Sequence, residues 1–157
     1  NEINRKTDDA NYFAYESTAL AQQSQFPKAN PKAKSSRYLS IEGNWKFHWV
    51  ENANERPADF FTIGYDDTKW GTMPVPGNWE MNGYGDAIYV NNRYAWRSDW
   101  TCEPPTVQDK GNHVGSYRRT FSIPADWKGQ KVYIHIGSAT SNLTLYVNGK
   151  YVGYSDL

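Results

Sequence analysis

A single cysteine, Cys102, stands among 157 residues. A lone cysteine cannot close an intrachain disulfide or form a paired-thiol metal site. Its setting, Trp100-Thr101-Cys102-Glu103-Pro104-Pro105, supplies no local base, so it reads as a bystander thiol rather than a nucleophile. An excess of either charge is also missing: Lys plus Arg and Asp plus Glu each total 17. That balance removes the electrostatic reason to expect nucleic acid or an anionic membrane as a partner. No run approaches the roughly 20 apolar residues of a membrane-spanning helix. The chain opens on Asn1 without a signal-peptide core, which fits a mature form and a trimmed chain equally. One unpaired cysteine fits the cytoplasm or a periplasm equally, so location stays open. Histidine is scarce, and His48, His113 and His135 have no ligand-spaced partners, so no metal site is expected. Aliphatic residues are few as well. Hydrophobic residues make up 38% of the chain and aromatics alone 16%, so the core should be built from Trp, Tyr and Phe. Aromatic weight of this kind suits β-structure, and also carbohydrate binding, where sugar C–H faces stack on rings.

Residues 1–36 are polar and read as an extended arm, anchored by Tyr12-Phe13-Ala14-Tyr15 and Phe26, with one helical turn near 17–22. A basic run at 28–37 (Lys28, Lys32, Lys34, Arg37) lies among Pro, Ala, Asn and Ser and reads as a solvated linker. Residues 37–157 form the compact domain. Trp45, Phe47 and Trp49 alternate with polar residues, which puts them on one face of a strand. Pro57 suits the first turn of a short helix through Phe60 and Phe61. Tyr65-Asp66-Asp67-Thr68-Lys69-Trp70 reads as a turn before a buried Trp. Strands are predicted over 117–123, over 131–137 with Val132, Ile134 and Ile136 on one face, and over 143–147 with Leu143, Leu145 and Val147 on one face. Asn148-Gly149 is a hairpin turn, since both residues tolerate positive φ, and 150–154 is the returning strand. Short alternating strands with little helix define an all-β, antiparallel sandwich or barrel. The chain ends at Leu157 just after this hairpin. A sandwich cut there leaves an unpaired edge, so the expectation is a fold truncated before its last strands. Asn142-Leu143-Thr144 matches a glycosylation sequon but opens a strand, and reads as chance.

The segment with the most chemical content is Val75-Pro76-Gly77-Asn78-Trp79-Glu80-Met81-Asn82-Gly83-Tyr84-Gly85, followed by Ile88-Tyr89-Val90-Asn91. Proline restricts φ and glycine admits its positive values, so this is a shaped loop carrying Trp, Tyr and Asn. It resembles the first domain of the large bacterial β-galactosidases of glycoside hydrolase family 2. Leu39-Ser40-Ile41-Glu42-Gly43-Asn44-Trp45-Lys46-Phe47 resembles that family's opening strand. Gly115-Ser116-Tyr117-Arg118-Arg119-Thr120-Phe121 resembles another strand, and the 147–155 hairpin and the Tyr12-Phe13-Ala14-Tyr15-Glu16 leader also have counterparts in the family. The matches run in the family's order over about residues 11–156. Departures are Ala87 where the family usually has proline, and Ser138-Ala139-Thr140-Ser141-Asn142 in place of a more common run.

The resemblance implies a galactose-binding-like jelly-roll sandwich, followed in the family by an immunoglobulin-like domain and a TIM-barrel catalytic domain. It implies retaining hydrolysis of terminal β-galactosides through two glutamates of the barrel. Two carboxyls about 5 Å apart force the nucleophile to bond to the sugar first. Those glutamates, and the family's magnesium and sodium ligands, are expected outside this chain. No catalytic residue is therefore expected here, and Glu80 reads as a residue with an ordinary loop hydrogen-bonding or surface role. The carried-over site residue is Asn91, whose amide can donate to and accept from a sugar hydroxyl. The other reading of Asn91 is a cap before Asn92-Arg93. The implied partners are the barrel, a β-galactoside and further copies of the chain in a homo-oligomer. Two rival functions remain open at this point. One is a free-standing carbohydrate-binding module, with Trp79, Tyr84, Tyr89 and Trp96 as stacking platforms. The other is a purely structural module. The same domain also occurs in the family's β-glucuronidases and β-mannosidases.

Overall fold

The computed structural model describes residues 15–23, 35–87, 103 and 105–156. The chain divides into two compact units, one of residues 1–41 and 122–132 and one of residues 42–121 and 133–157.

In the first unit, α1 (Thr18–Gln23) is the only α-helix among the described residues. Ser17 starts it: its hydroxyl accepts from the Leu20 amide at 3.3 Å, the N-cap geometry that serine favours. The neighbouring Glu16 carboxylate accepts from the Ser36 amide at 2.8 Å and from the Ser36 hydroxyl. That hydroxyl is the main reason the Glu16 carboxyl is held below its usual range. A 3₁₀ turn, Ala125–Trp127, places the Trp127 indole N–H 2.8 Å from the Ser36 carbonyl.

The second unit is built on β1 (Gly43–Val50), flanked antiparallel by β2 (Gly71–Val75) and β3 (Val114–Arg118) in the order β2-β1-β3. The strand forms where the aromatic alternation predicts it. Phe47 is 1% exposed and Met73 0%, while Trp45 and Trp49 are half-buried. Alternation in a strand sends odd and even residues to opposite faces. On the odd face of β1, Phe47 meets Tyr84 edge-on with ring centroids 4.8 Å apart, and lies 4.6 Å from Tyr117. On the even face, His48 stacks on Trp70 at 5.3 Å and Ser116 is buried.

The 57–70 segment is tied to β3 by Arg118. Its Nε lies 2.8 Å from Asp67 Oδ2, its terminal nitrogen donates to the Phe60 and Thr62 carbonyls, and its guanidinium sits 5.4 Å from the Tyr65 ring centre. The same segment meets a second sheet, the hairpin of β4 (Asn142–Val147) and β5 (Lys150–Asp156). Phe61 stacks on Tyr146 with centroids 4.3 Å apart and planes 9° apart. Asn148 and Gly149 both have positive φ, 51° and 78°, as the hairpin turn requires. Between Leu145 and Tyr146 the register shifts, because Leu145 pairs with Gly153 and Tyr146 with Tyr151. Val152 is the extra residue of that bulge. The protein is an all-β sandwich in which neither sheet is closed among the described residues.

Three local expectations differ from the structure. No helix starts at Pro57. A 3₁₀ turn over Ala53–Glu55 ends at Arg56, whose amide and guanidinium both donate to the Ala53 carbonyl, and separate turns follow. The ladder of β3 begins at Val114 and stops at Arg118, short of residue 123. Residues 131–137 join no ladder among the described residues. The alternation there is real all the same: Tyr133 is 82% exposed, against 40% for Ile134 and 43% for Ile136. The two isoleucines line an open groove of about 320 Å³ with Leu143, Leu145 and Val152. A period-two pattern marks faces, and a ladder also needs a neighbouring edge to pair with.

Candidate functional site

The loop after β2 is closed by its own backbone. The Trp79 carbonyl accepts from the Asn82 amide at 2.9 Å and from the Tyr84 amide at 3.1 Å. The Asn82 side chain donates to the Asn78 carbonyl at 2.8 Å. A 3₁₀ turn, Glu80–Asn82, ends at Gly83, whose φ of 87° a side chain would resist. The peptide between Val75 and Pro76 is cis.

Two aromatic side chains of this loop point back into the sheet. Trp79 lies over Gly115 of β3: a methyl group placed on that glycine would be 2.7 Å from the Trp79 ring and 2.8 Å from the Phe47 ring. Tyr84 lies against Gly71 of β2, where an added methyl would be 3.1 Å from the phenol oxygen. Phe47 sits between them, since it pairs with Gly71 across one ladder while Trp49 pairs with Gly115 across the other. Each glycine opens the gap that one ring fills. The Trp79 indole N–H donates to the Glu80 carboxylate. The Tyr117 phenol is pushed above its usual range, first by burial and then by the Glu80 charge. Glu80 thus has the hydrogen-bonding role expected for it.

Trp79 and Tyr84 are half-buried and spent on contacts within the domain, so they form no exposed stacking row. Tyr89, Asn91, Trp96 and Cys102 lie outside the described residues. Of the histidines, His113 packs 5.0 Å from Trp49 and His48 on Trp70. Among the described residues no three His, Cys, Asp or Glu side chains gather as they would around a metal ion. No helix among them is long and apolar enough to cross a membrane. The roles of Gly71, Gly115 and Arg118 were not foreseen. Glycine inside a strand is a cue to close approach, but Gly115 lies before the strand predicted at 117–123 and enters a strand only because β3 starts at Val114. Nothing local marks which partner Arg118 finds.

The sheet, the hairpin and the inward-packed loop define a β-sandwich domain. The chain belongs to the family described as glycosyl hydrolases family 2, sugar binding domain, whose model matches residues 38–156. It is 39% identical over 127 residues to a β-galactosidase of Priestia megaterium, a match covering 81% of this chain and 12% of the relative. A β-galactosidase of Halalkalibacterium halodurans is 34% identical over 129 residues, covering 82% of this chain and 13% of that protein. A β-galactosidase large subunit of Leuconostoc lactis is 34% identical over 134 residues, covering 77% and 21% respectively. The chain therefore spans from about an eighth to a fifth of the length of these relatives.

Proposed function

We propose that this chain is the first domain of a retaining β-galactosidase, which braces a catalytic barrel and lends Asn91 to the galactose subsite. The observation that carries the reading is the 39% identity over 127 residues to a β-galactosidase, in a chain whose residues 38–156 match the family's sugar binding domain. The inward packing of Trp79 and Tyr84 supports it further. A domain that must bind sugar alone needs an exposed platform, whereas a wall of a composite site needs a rigid loop leading to one polar group.

In this reading the acid/base and nucleophile glutamates, and the magnesium and sodium ligands, come from elsewhere in the full-length protein. The 157-residue chain alone hydrolyses nothing. The arm at 1–36 contributes to contacts between copies. The test is hydrolysis of nitrophenyl β-galactoside and nitrophenyl β-glucuronide by the full-length protein and by the 157-residue chain. Galactoside turnover by the full-length protein alone is the expected result. Preference for the glucuronide would assign the domain to a β-glucuronidase, and turnover by the short chain would overturn the division of labour.

A further inference from the structure

We propose that the outer edge of β5 pairs with the same edge of a second copy of this 157-residue chain, joining two hairpins into one four-stranded sheet in the order β4-β5-β5-β4. The inference stands on the hairpin and does not depend on the galactosidase reading. Among the described residues β5 pairs with β4 and with no other strand. Its other edge therefore presents backbone N–H and C=O groups that can accept a further strand. The seven residues Lys150–Asp156 are extended, and all but Gly153 are exposed. Tyr151, Val152 and Tyr154 are 62%, 58% and 56% exposed, although aromatic and β-branched residues favour pleated, half-buried surfaces. No proline interrupts the edge, and no charge stands between Lys150 and Asp156.

The charge pattern selects a second copy over another strand. A two-fold axis relates most pairs of identical subunits, and it requires that where residue i meets j, j also meets i. An antiparallel pair centred on Gly153 puts Lys150 opposite Asp156 of the second copy, and Asp156 opposite its Lys150. The same register sets Tyr151 opposite Ser155 and Val152 opposite Tyr154, each of them twice. Opposite charges and aromatic–β-branched pairs directly across a ladder are stabilising, and like charges are destabilising. Slid by one residue in either direction, the strands lose both charge pairs, so the ends fix the register. The bulge at Val152 twists the edge and opposes pairing. A ladder of seven residues also buries little area, so the dimer is a weak one that dissociates on dilution.

The experiment is sedimentation equilibrium of the 157-residue chain at low salt, from dilute solution to the near-millimolar range. It compares the unaltered chain, Lys150→Glu, Asp156→Lys, and an equimolar mixture of the two variants. Both positions are exposed at the ends of the strand, so neither change removes packing. The unaltered chain should pass from monomer to dimer as concentration rises. Each variant alone sets like charges opposite each other at both ends, and should raise the dimer dissociation constant about tenfold. Mixing should restore association, because the new carboxylate of one variant then faces the new ammonium of the other, and the native Asp156 faces the native Lys150. A monomer at every concentration overturns the proposal and leaves the edge to some other partner. A dimer that both variants leave intact also overturns it, since the contact then lies elsewhere. Variants that dissociate alone and stay apart when mixed overturn the register.

Discussion

Replacing Phe47 by alanine removes the ring that the rest of the domain is arranged around. Phe47 is 1% exposed and contacts two further rings at 4.8 and 4.6 Å. Deleting a buried Phe side chain commonly costs about 3–5 kcal/mol, with the spread set by how far the site can collapse. Here collapse is limited, because Gly71, which faces it on β2, has no side chain to move inward, and Tyr117, which faces it on β3, is a ring already packed against it. Aromatic pairs add about 0.5–1.5 kcal/mol each beyond area burial. The cost should therefore lie at the upper end, about 4–5 kcal/mol. That is a large share of the roughly 5–15 kcal/mol available to a domain. Phe47→Leu keeps most of the volume and should cost about 1–2 kcal/mol. Urea unfolding of the 157-residue chain measures both. With a slope of about 2 kcal/mol/M, the alanine variant should lose about 2 M in midpoint. A loss below about 2 kcal/mol at unchanged slope would show that the core is not centred on Phe47.

Arg118→Met should cost about 1–2 kcal/mol in the same assay. Its pair with Asp67 is 22% and 26% exposed, so most of the loss comes from the Phe60 and Thr62 carbonyls and little from the screened ion pair. Ser141 holds a φ of 70°, where a β-carbon is strained, so Ser141→Gly should raise stability by about 0.5–1 kcal/mol despite glycine's greater freedom when unfolded. The Tyr117 phenol has a raised folded-state pKa, from burial first and Glu80 second. Its stabilising share is complete below an unfolded value of about 10 and is lost as pH rises through the folded value. Stability should therefore fall above pH 10, and Tyr117→Phe should flatten that fall in urea titrations taken across the alkaline range.

The β1 strand, the Asn148-Gly149 hairpin and the α1 turn were legible in the sequence because each is dictated locally. An alternation of aromatics, a dipeptide that tolerates positive φ, and a capping serine act within a few residues. The extent of β3 and the fate of 131–137 were not legible, since a ladder depends on which edge lies alongside. The Pro57 helix failed for a related reason: the carbonyls of Phe60 and Thr62 accept from Arg118, a partner more than 50 positions away. In the site, the shaped loop could be read from its turn residues. The burial of Trp79 and Tyr84 could not, because it depends on two glycines in strands remote in sequence.

The central claim is that this domain contributes one wall of a galactose site and cannot bind the sugar by itself. Titration calorimetry of galactose into the folded 157-residue chain, at protein concentrations that reveal millimolar affinity, tests it most directly. The account predicts no saturable heat, because one amide is a fraction of a site. Saturable binding that survives Asn91→Ala would contradict it and make the chain a sugar-binding module in its own right.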